Sequence, residues 1–159
     1  MPVICSNLTS LDLSGFNTSN VTSMSSMSSM FRGCSNLEKI YAGDGWSTED
    51  VTSSNYMFGS CYKLTGGQGT EYNNEHTDYT YAHLDGGTSS PGYFTEKPYI
   101  LGDANNSGAV EIGDITSVLT LMATLDTTGY NSKAADANKN GVIEIGDITT
   151  ILTIMAGGE

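Results

Sequence analysis

DANNSGAVEIGDITSVLTLMA, residues 103–123, recurs as DANKNGVIEIGDITTILTIMA, residues 136–156. The copies start 33 residues apart and are identical at 14 of 21 positions. Each places oxygen-bearing side chains at alternate positions, turns at a glycine and continues as an apolar-periodic helix. A Ca²⁺ ion takes about six to eight oxygens, and a loop of roughly 12 residues supplies them from positions 1, 3, 5, 7, 9 and 12, with glycine at 6. In the first copy these positions hold Asp103, Asn105, Ser107, the carbonyl of Ala109, Glu111 and Asp114, with Gly108 at the turn. In the second they hold Asp136, Asn138, Asn140, the carbonyl of Val142, Glu144 and Asp147, with Gly141. Asx-rich turns that merely cap helices use the same residue types. Two loops with one spacing, one glycine and one tail favour two Ca²⁺ sites over that reading.

Position 12 is Asp where the EF-hand motif has Glu. The shorter arm requires the first turn of the following helix to come closer if both oxygens are to ligate. Position 8, Val110 or Ile143, predicts a short strand contact between the loops. After each loop the apolar residues fall at Ile115, Val118, Leu119 and Met122, and at Ile148, Ile151, Leu152 and Met155. That spacing is one face of an amphipathic helix. Helices this short are not stable alone, so they pack on each other or on a partner. Between the copies the sequence predicts a turn at 127–129 and one helical turn before Asp136.

Duplicated loops opening on Gly102 and Asp103, Asp at position 12 and one helix after each loop resemble the type I dockerins. These are calcium-dependent modules that attach proteins to scaffoldin-borne cohesins in cellulosomes. The resemblance covers residues 101–156. It implies two bound Ca²⁺, a cohesin partner, and partner contacts at loop positions 10 and 11 and one and two turns further along each helix. Those positions hold Ile112, Gly113, Leu119, Thr120 and Thr124 in the first copy, and Ile145, Gly146, Leu152, Thr153 and Gly157 in the second. Many dockerins carry Ser-Thr or another polar pair where this chain has Ile-Gly, which implies a different cohesin class with a more apolar contact. Glu at position 9, where Asn or Asp is commoner, leaves direct and water-mediated ligation both open. Helical register favours the module's own core for Leu119 and Leu152, and the interface for Ile112 and Ile145.

The first hundred residues carry a second repeat. CSNLTSLDLSGFNTSNVTSMSSMSSMF (5–31) is followed by CSNLEKIYAGDGWSTEDVTSSNYMF (34–58), and Cys61 opens a third, degenerate unit. Leu8, Leu11 and Leu13 read as the inward side of a short strand and its lead-in. Val21, Met24, Met27, Met30 and Phe31 read as a helical stripe. These units resemble BspA-type leucine-rich repeats, and residues 64–95 resemble the tail that closes such arrays. Terminal units must cover the last apolar face, and Tyr79, Tyr81, Leu84, Tyr93 and Phe94 are the candidates. Two repeats are few for a solenoid, so further repeats upstream are expected. The three cysteines share one repeat position, which predicts stacked, buried thiols rather than a disulfide framework. Trp46 reads as core rather than as a ligand platform.

The expected architecture is therefore α+β: a short leucine-rich-repeat solenoid of strand–helix units with its closing tail (1–95), a linker (96–100), and a small all-α dockerin with two EF-hand-like loops (101–159). Net charge is −12, with four Lys/Arg against ten acids before residue 100 and two against eight after it. This lacks the basic footprint of nucleic-acid binding. In the C-terminal module, a pair of Ca²⁺ ions would offset four of six net negative charges. No run of 18 apolar residues predicts a membrane span. His76 and His83 lie near Glu71, Glu75, Asp78 and Asp85, a pairing capable of acid–base work, but no nucleophile or metalloprotease motif accompanies them. The expectation is a non-catalytic assembly protein, extracellular, in a cellulosome or on a bacterial surface. Its dockerin plugs into a scaffoldin cohesin in two orientations. The alternatives are a calcium-stabilised adhesin whose repeats bind protein or polysaccharide, and an enzyme only if a catalytic domain lies upstream.

Overall fold

The computed structural model describes residues 5–18, 28–43, 45–51, 54–127 and 129–158. The chain forms two compact units, Met1–Lys97 and Pro98–Glu159. Their hydrophobic clusters share no residue.

In the first unit, β1 (Ser10–Leu13), β2 (Lys39–Ala42) and β3 (Phe94–Glu96) form one parallel sheet in the order β1-β2-β3. The first pairing follows the repeat: Ser10 faces Lys39 and Leu13 faces Ala42. Alternation sends Leu13, Ile40, Ala42 and Phe94 inward and leaves Ser10 and Asp12 exposed; Glu96, on the face of Phe94, is exposed where β3 ends. On the outer face, Lys97 Nζ lies 2.9 Å from Asp12 Oδ2.

The expected solenoid of strand–helix leucine-rich repeats is overturned. Among the described residues of this unit there is no α-helix, only two three-residue 3-10 turns, Tyr79–Tyr81 and Gly87–Ser89. Successive turns fill the space between strands instead, and they stack through backbone bonds such as Phe31 N–H to Met57 O (2.9 Å) and Gly33 N–H to Gly59 O (2.8 Å). Val21, Met24 and Met27 lie outside the described residues; Met30 and Phe31 sit in such turns, the first exposed and the second buried. The third strand does not come from the third repeat either. Thr65 N–H still donates to Glu38 O (3.1 Å), but the chain then turns off at Gly66, and the tail supplies Phe94 opposite Ile40. A Cβ on Gly66 would stand 2.2 Å from Gly92 O and 2.5 Å from Asp85 Oδ2, so only glycine lets the tail pass.

Aromatic rings close the core. Phe31 stacks on Phe58 at 5.5 Å, and Tyr93 meets Phe58 edge-on at 5.1 Å. Trp46 packs edge-on to Phe94 at 5.1 Å and donates to Ala82 O at 2.9 Å. Tyr93 and Phe94 are fully buried, and Tyr79, Tyr81 and Leu84 pack partly buried against the same cluster. Cys34 and Cys61 are buried and Cys5 is exposed, so the expected burial of all three thiols fails at Cys5, which precedes the edge strand β1. The Cys61 thiol donates to Phe31 O at 3.0 Å, and burial pushes its pKa up to about 12.

The second unit has α1 (Ile112–Thr124), α2 (Ser132–Ala135) and α3 (Ile145–Met155). Helices take up fewer than half of its residues, so the expected all-α module is replaced by a loop-rich one. Val118, Leu121, Ala135 and Ile151 form its core with Ala104 and Ala137. No helix among the described residues is long and apolar enough to cross a membrane.

Candidate metal centre and docking faces

The 33-residue repeat is reproduced in the bonds of the first, third and twelfth residues of the two loops. Asp103 Oδ1 accepts from Ser107 N (2.8 Å) and its Oδ2 from Gly108 N (2.9 Å). Asp136 Oδ1 accepts from Asn140 N (3.0 Å) and its Oδ2 from Gly141 N (2.8 Å). Asn105 Oδ1 accepts from Ser107 N at 2.8 Å and Asn138 Oδ1 from Asn140 N at 3.0 Å. Gly108 and Gly141 have φ of 93° and 87°, the left-handed region in which glycine carries no Cβ penalty.

At the far end, Asp114 Oδ1 accepts from Asn105 N (3.1 Å) and Oδ2 from Glu111 N (2.7 Å). Asp147 makes the same two bonds, from Asn138 N (3.1 Å) and Glu144 N (2.8 Å). These bonds draw the third residue of each helix into its loop, as a short position-12 side chain requires. They also set each helix's rotation. With Asp114 inward, the buried stripe of α1 is Asp114, Ser117, Val118 and Leu121. The stripe expected through Leu119 is turned by one position, and the core role for Leu119 and Leu152 is corrected: they are 47% and 48% exposed. Nor do Val110 and Ile143 pair as strands; no bridge joins them among the described residues, and both pack partly buried against the unit's core.

The loops differ at position 5. Asn140 reaches Glu144, its Nδ2 donating to Oε1 at 2.7 Å. Ser107 is too short for that and donates to Ala109 O at 3.1 Å. Val142 N–H donates to Asn140 Oδ1 at 2.9 Å.

This donor set fits a hard, oxygen-seeking cation. Asp114 and Asp147 are fully buried, and no ion pair reaches either among the described residues. A buried carboxylate without a counter-charge is costly, and a divalent cation in the loop supplies that charge. Among the described residues no three His, Cys, Asp or Glu side chains gather in ligating reach. Each loop combines its carboxylates with Asn, Ser and carbonyl oxygens, a mixture suited to Ca²⁺ rather than to a soft metal.

The expected partner residues form two similar faces. Ile112 is 70% exposed and Ile145 65%; Leu119 and Leu152 follow two turns on, on the same sides. Thr120 Oγ1 donates to Thr116 O at 2.8 Å, and Thr153 Oγ1 to Thr149 O at 2.9 Å, so these hydroxyl protons are spent on the helix backbone and only acceptor lone pairs remain. The faces diverge at their far ends. Thr124 lies within α1 and donates to Thr120 O (2.8 Å), whereas Gly157 lies beyond α3 with φ of 80°. Gly113 and Gly146 back onto the loops: a Cβ on either would come within 3.0 and 2.9 Å of the side-chain amide of Asn105 or Asn138.

The histidines are packing groups in the tail. His76 stacks on Tyr81 at 4.4 Å, and a ring nitrogen of His83 shares a 2.8 Å hydrogen bond with Leu84 O. Sequence reading missed Asn131, whose Oδ1 accepts from Ala134 N at 3.0 Å. The signal was present: an Asn immediately before a small-residue helical turn is a capping pattern.

Two family models match the chain. One, described as a Mycoplasma protein of unknown function, DUF285, matches residues 4–87; the other, described as a type I dockerin domain, matches residues 101–152. No curated protein matches, and no solved structure matches. The N-terminal match carries no leucine-rich-repeat description. The C-terminal match is to a non-catalytic assembly domain that binds calcium and pairs with cohesins.

Proposed function

We propose that this chain, which belongs to the DUF285 family and carries a type I dockerin domain behind that region, is a non-catalytic component that calcium locks into a cohesin-bearing scaffold. The observation that carries this reading is the repetition of the same Asp and Asn bonds in the two loops, each with an exposed isoleucine at position 10. Two Ca²⁺ ions would be held, one by Asp103, Asn105, Ser107, the Ala109 carbonyl, Glu111 and Asp114. The other would be held by Asp136, Asn138, Asn140, the Val142 carbonyl, Glu144 and Asp147. Bound calcium supplies the positive charge that lets these oxygens converge; the protein's role is to fix both helices at their loops.

The cohesin meets Ile112, Leu119 and Thr120, or Ile145, Leu152 and Thr153, so docking runs in two orientations. An apolar isoleucine beside a glycine calls for an apolar recess on the cohesin. We place the complex outside the cell, in a cellulosome or on a bacterial surface, where calcium is plentiful, and divide the chain into residues 1–95, a 96–100 linker and 101–159. The test is a pulldown of the full chain against a cohesin panel with calcium and with EDTA. Binding in calcium and its loss in EDTA are expected; binding unchanged by EDTA would reject the mechanism.

A specific feature favours a second role, for the N-terminal unit. A groove of about 620 Å³ is lined by Glu38, Lys39, Tyr62, Lys63, Glu71 and Tyr72 among others. Tyr62 is exposed, yet its ring stands edge-on to Tyr72 at 5.8 Å and its hydroxyl donates to Ser60 Oγ at 3.3 Å. Lys39 Nζ is fixed by the carbonyls of Thr65 and Gly66, both at 3.1 Å. A held aromatic ring beside carboxylates and ammonium groups suits a polysaccharide strand, the ring taking a sugar's apolar face and the charges its hydroxyls. Retardation in polysaccharide-containing native gels, lost in Tyr62→Ala, is the expected result; equal mobility of both proteins would remove this reading.

A further inference from the structure

Besides position 5, the near-symmetry of the two loops breaks on the side of loop 103–114 away from its oxygens. Residues 102, 104 and 106 alternate with Asp103, Asn105 and Ser107, and all three are gripped by the segment that carries α2. Gly102 N–H donates to Ala134 O at 2.9 Å, Asn131 N–H to Ala104 O at 2.9 Å, and Asn131 Nδ2 to Asn106 Oδ1 at 3.2 Å. Asn131 meanwhile caps α2 through its Oδ1, so one side chain holds the helix with its oxygen and the loop with its nitrogen. α2 ends on Asp136, the first residue of the other loop, whose N–H donates to Ser132 O at 3.0 Å. Shifting by 33 residues puts Ala137 and Lys139 where Ala104 and Asn106 stand. No comparable grip from outside the loop reaches them among the described residues.

We propose that Asn131 is a positioning residue that makes the ordering of loop 103–114 conditional on that of loop 136–147, with α2 as the strut between them. When Asp136 is fixed by its loop, the C-terminal end of α2 is fixed. Asn131 and Ala134 then hold residues 102, 104 and 106, which leaves Asp103 and Asn105 aimed at the loop's centre. Loop 136–147 needs no such help and orders first. Coupling of this kind is reciprocal in free energy, and factors of about five upward are usual. The proposal rests on the calcium reading of both loops and deepens it, and it makes no use of the cohesin.

The amides of Gly108 and Gly141, each donating to its own loop's first aspartate, report the loops separately. In a calcium titration of the full chain labelled with ¹⁵N-glycine, Asn131→Ser keeps a capping oxygen but cannot reach Asn106. Asn106→Gly keeps the left-handed φ of 57° at that position and removes the acceptor without touching α2. Each variant should raise the Gly108 midpoint about fivefold or more and leave that of Gly141 within about twofold. Asp136→Ala should raise the Gly108 midpoint in the otherwise native chain, and much less in the Asn106→Gly background. Equal shifts of both glycines, or none, would overturn the strut while leaving the calcium reading intact. A Gly108 amide indifferent to calcium would overturn both.

Discussion

Asp85 holds the closing tail of the N-terminal unit with one carboxylate. Its Oδ2 accepts from Gln68 N (2.8 Å) and Thr70 N (3.0 Å), and its Oδ1 from Thr70 Oγ1 (2.6 Å) and Gly87 N (2.9 Å). Burial opposes its charge, but the Thr70 hydroxyl and the N–H groups of Thr70, Gly87 and Gln68 outweigh that and hold its pKa far below the ordinary carboxylate range. A depressed folded-state pKa gives stability that is present above the unfolded value, near pH 4, and is lost as pH falls through the folded one. Asp85→Asn should therefore lower the stability of this unit by about 2–3 kcal/mol at neutral pH. Denaturant titrations of both proteins should show the gap narrowing as pH is lowered below about 4; a constant gap would mean that charge is not the cause. Nothing in the sequence marks Asp85 for this role. Its donors come from Gln68, Thr70 and Gly87, and only the folded tail brings them together.

At the scale of elements, the loops were legible because every proposed ligand position is local and the pattern occurs twice. Helix rotation was not. Apolar spacing put Val118 and Leu119 in one stripe, and only the tertiary bonds of Asp114 turn Val118 and Leu121 inward and leave Leu119 outside. Val118→Ala should cost the C-terminal unit about 1–3 kcal/mol. Leu119→Ala should change its stability by less than about 0.5 kcal/mol while weakening cohesin binding, and thermal melts beside binding isotherms separate the two effects. The two faces also predict how substitutions combine. Ile112→Asp or Ile145→Asp alone should weaken cohesin binding only about twofold, as half the docking modes vanish. Both together should weaken it about a hundredfold or more. A severe loss from either single change would mean that one face does the docking. Isoleucine is the right probe, since the neighbouring glycines back onto Asn105 and Asn138.

For the whole molecule, two cores with no shared residue predict two transitions on heating. Chelation should lower the one belonging to residues 98–159, where each filled site contributes about 2.7 kcal/mol at a calcium level a hundred times its dissociation constant. It should leave the other unmoved. Calorimetry with and without EDTA reads both, and a common shift would show that calcium acts on the N-terminal unit as well. The shape of that unit was only half legible. Strand pairing at the repeat spacing could be read from Leu11 and Leu13 against Ile40 and Ala42. Substitution of the tail for the third repeat could not, because pairing of Ile40 with Phe94 leaves no periodic trace.

That borrowed strand has a bearing on how the protein is made. Phe94 sits 54 residues beyond its partner Ile40, and contacts so distant in sequence form late. As synthesis proceeds from the N-terminus, β1 and β2 emerge with their inner face uncovered and stay so until residue 96 is free. The nascent chain is thus an open two-strand sheet from the emergence of Ala42 to that of Glu96, during which it is most exposed to mispairing. The closing tail therefore sets the moment at which the N-terminal unit commits to its fold.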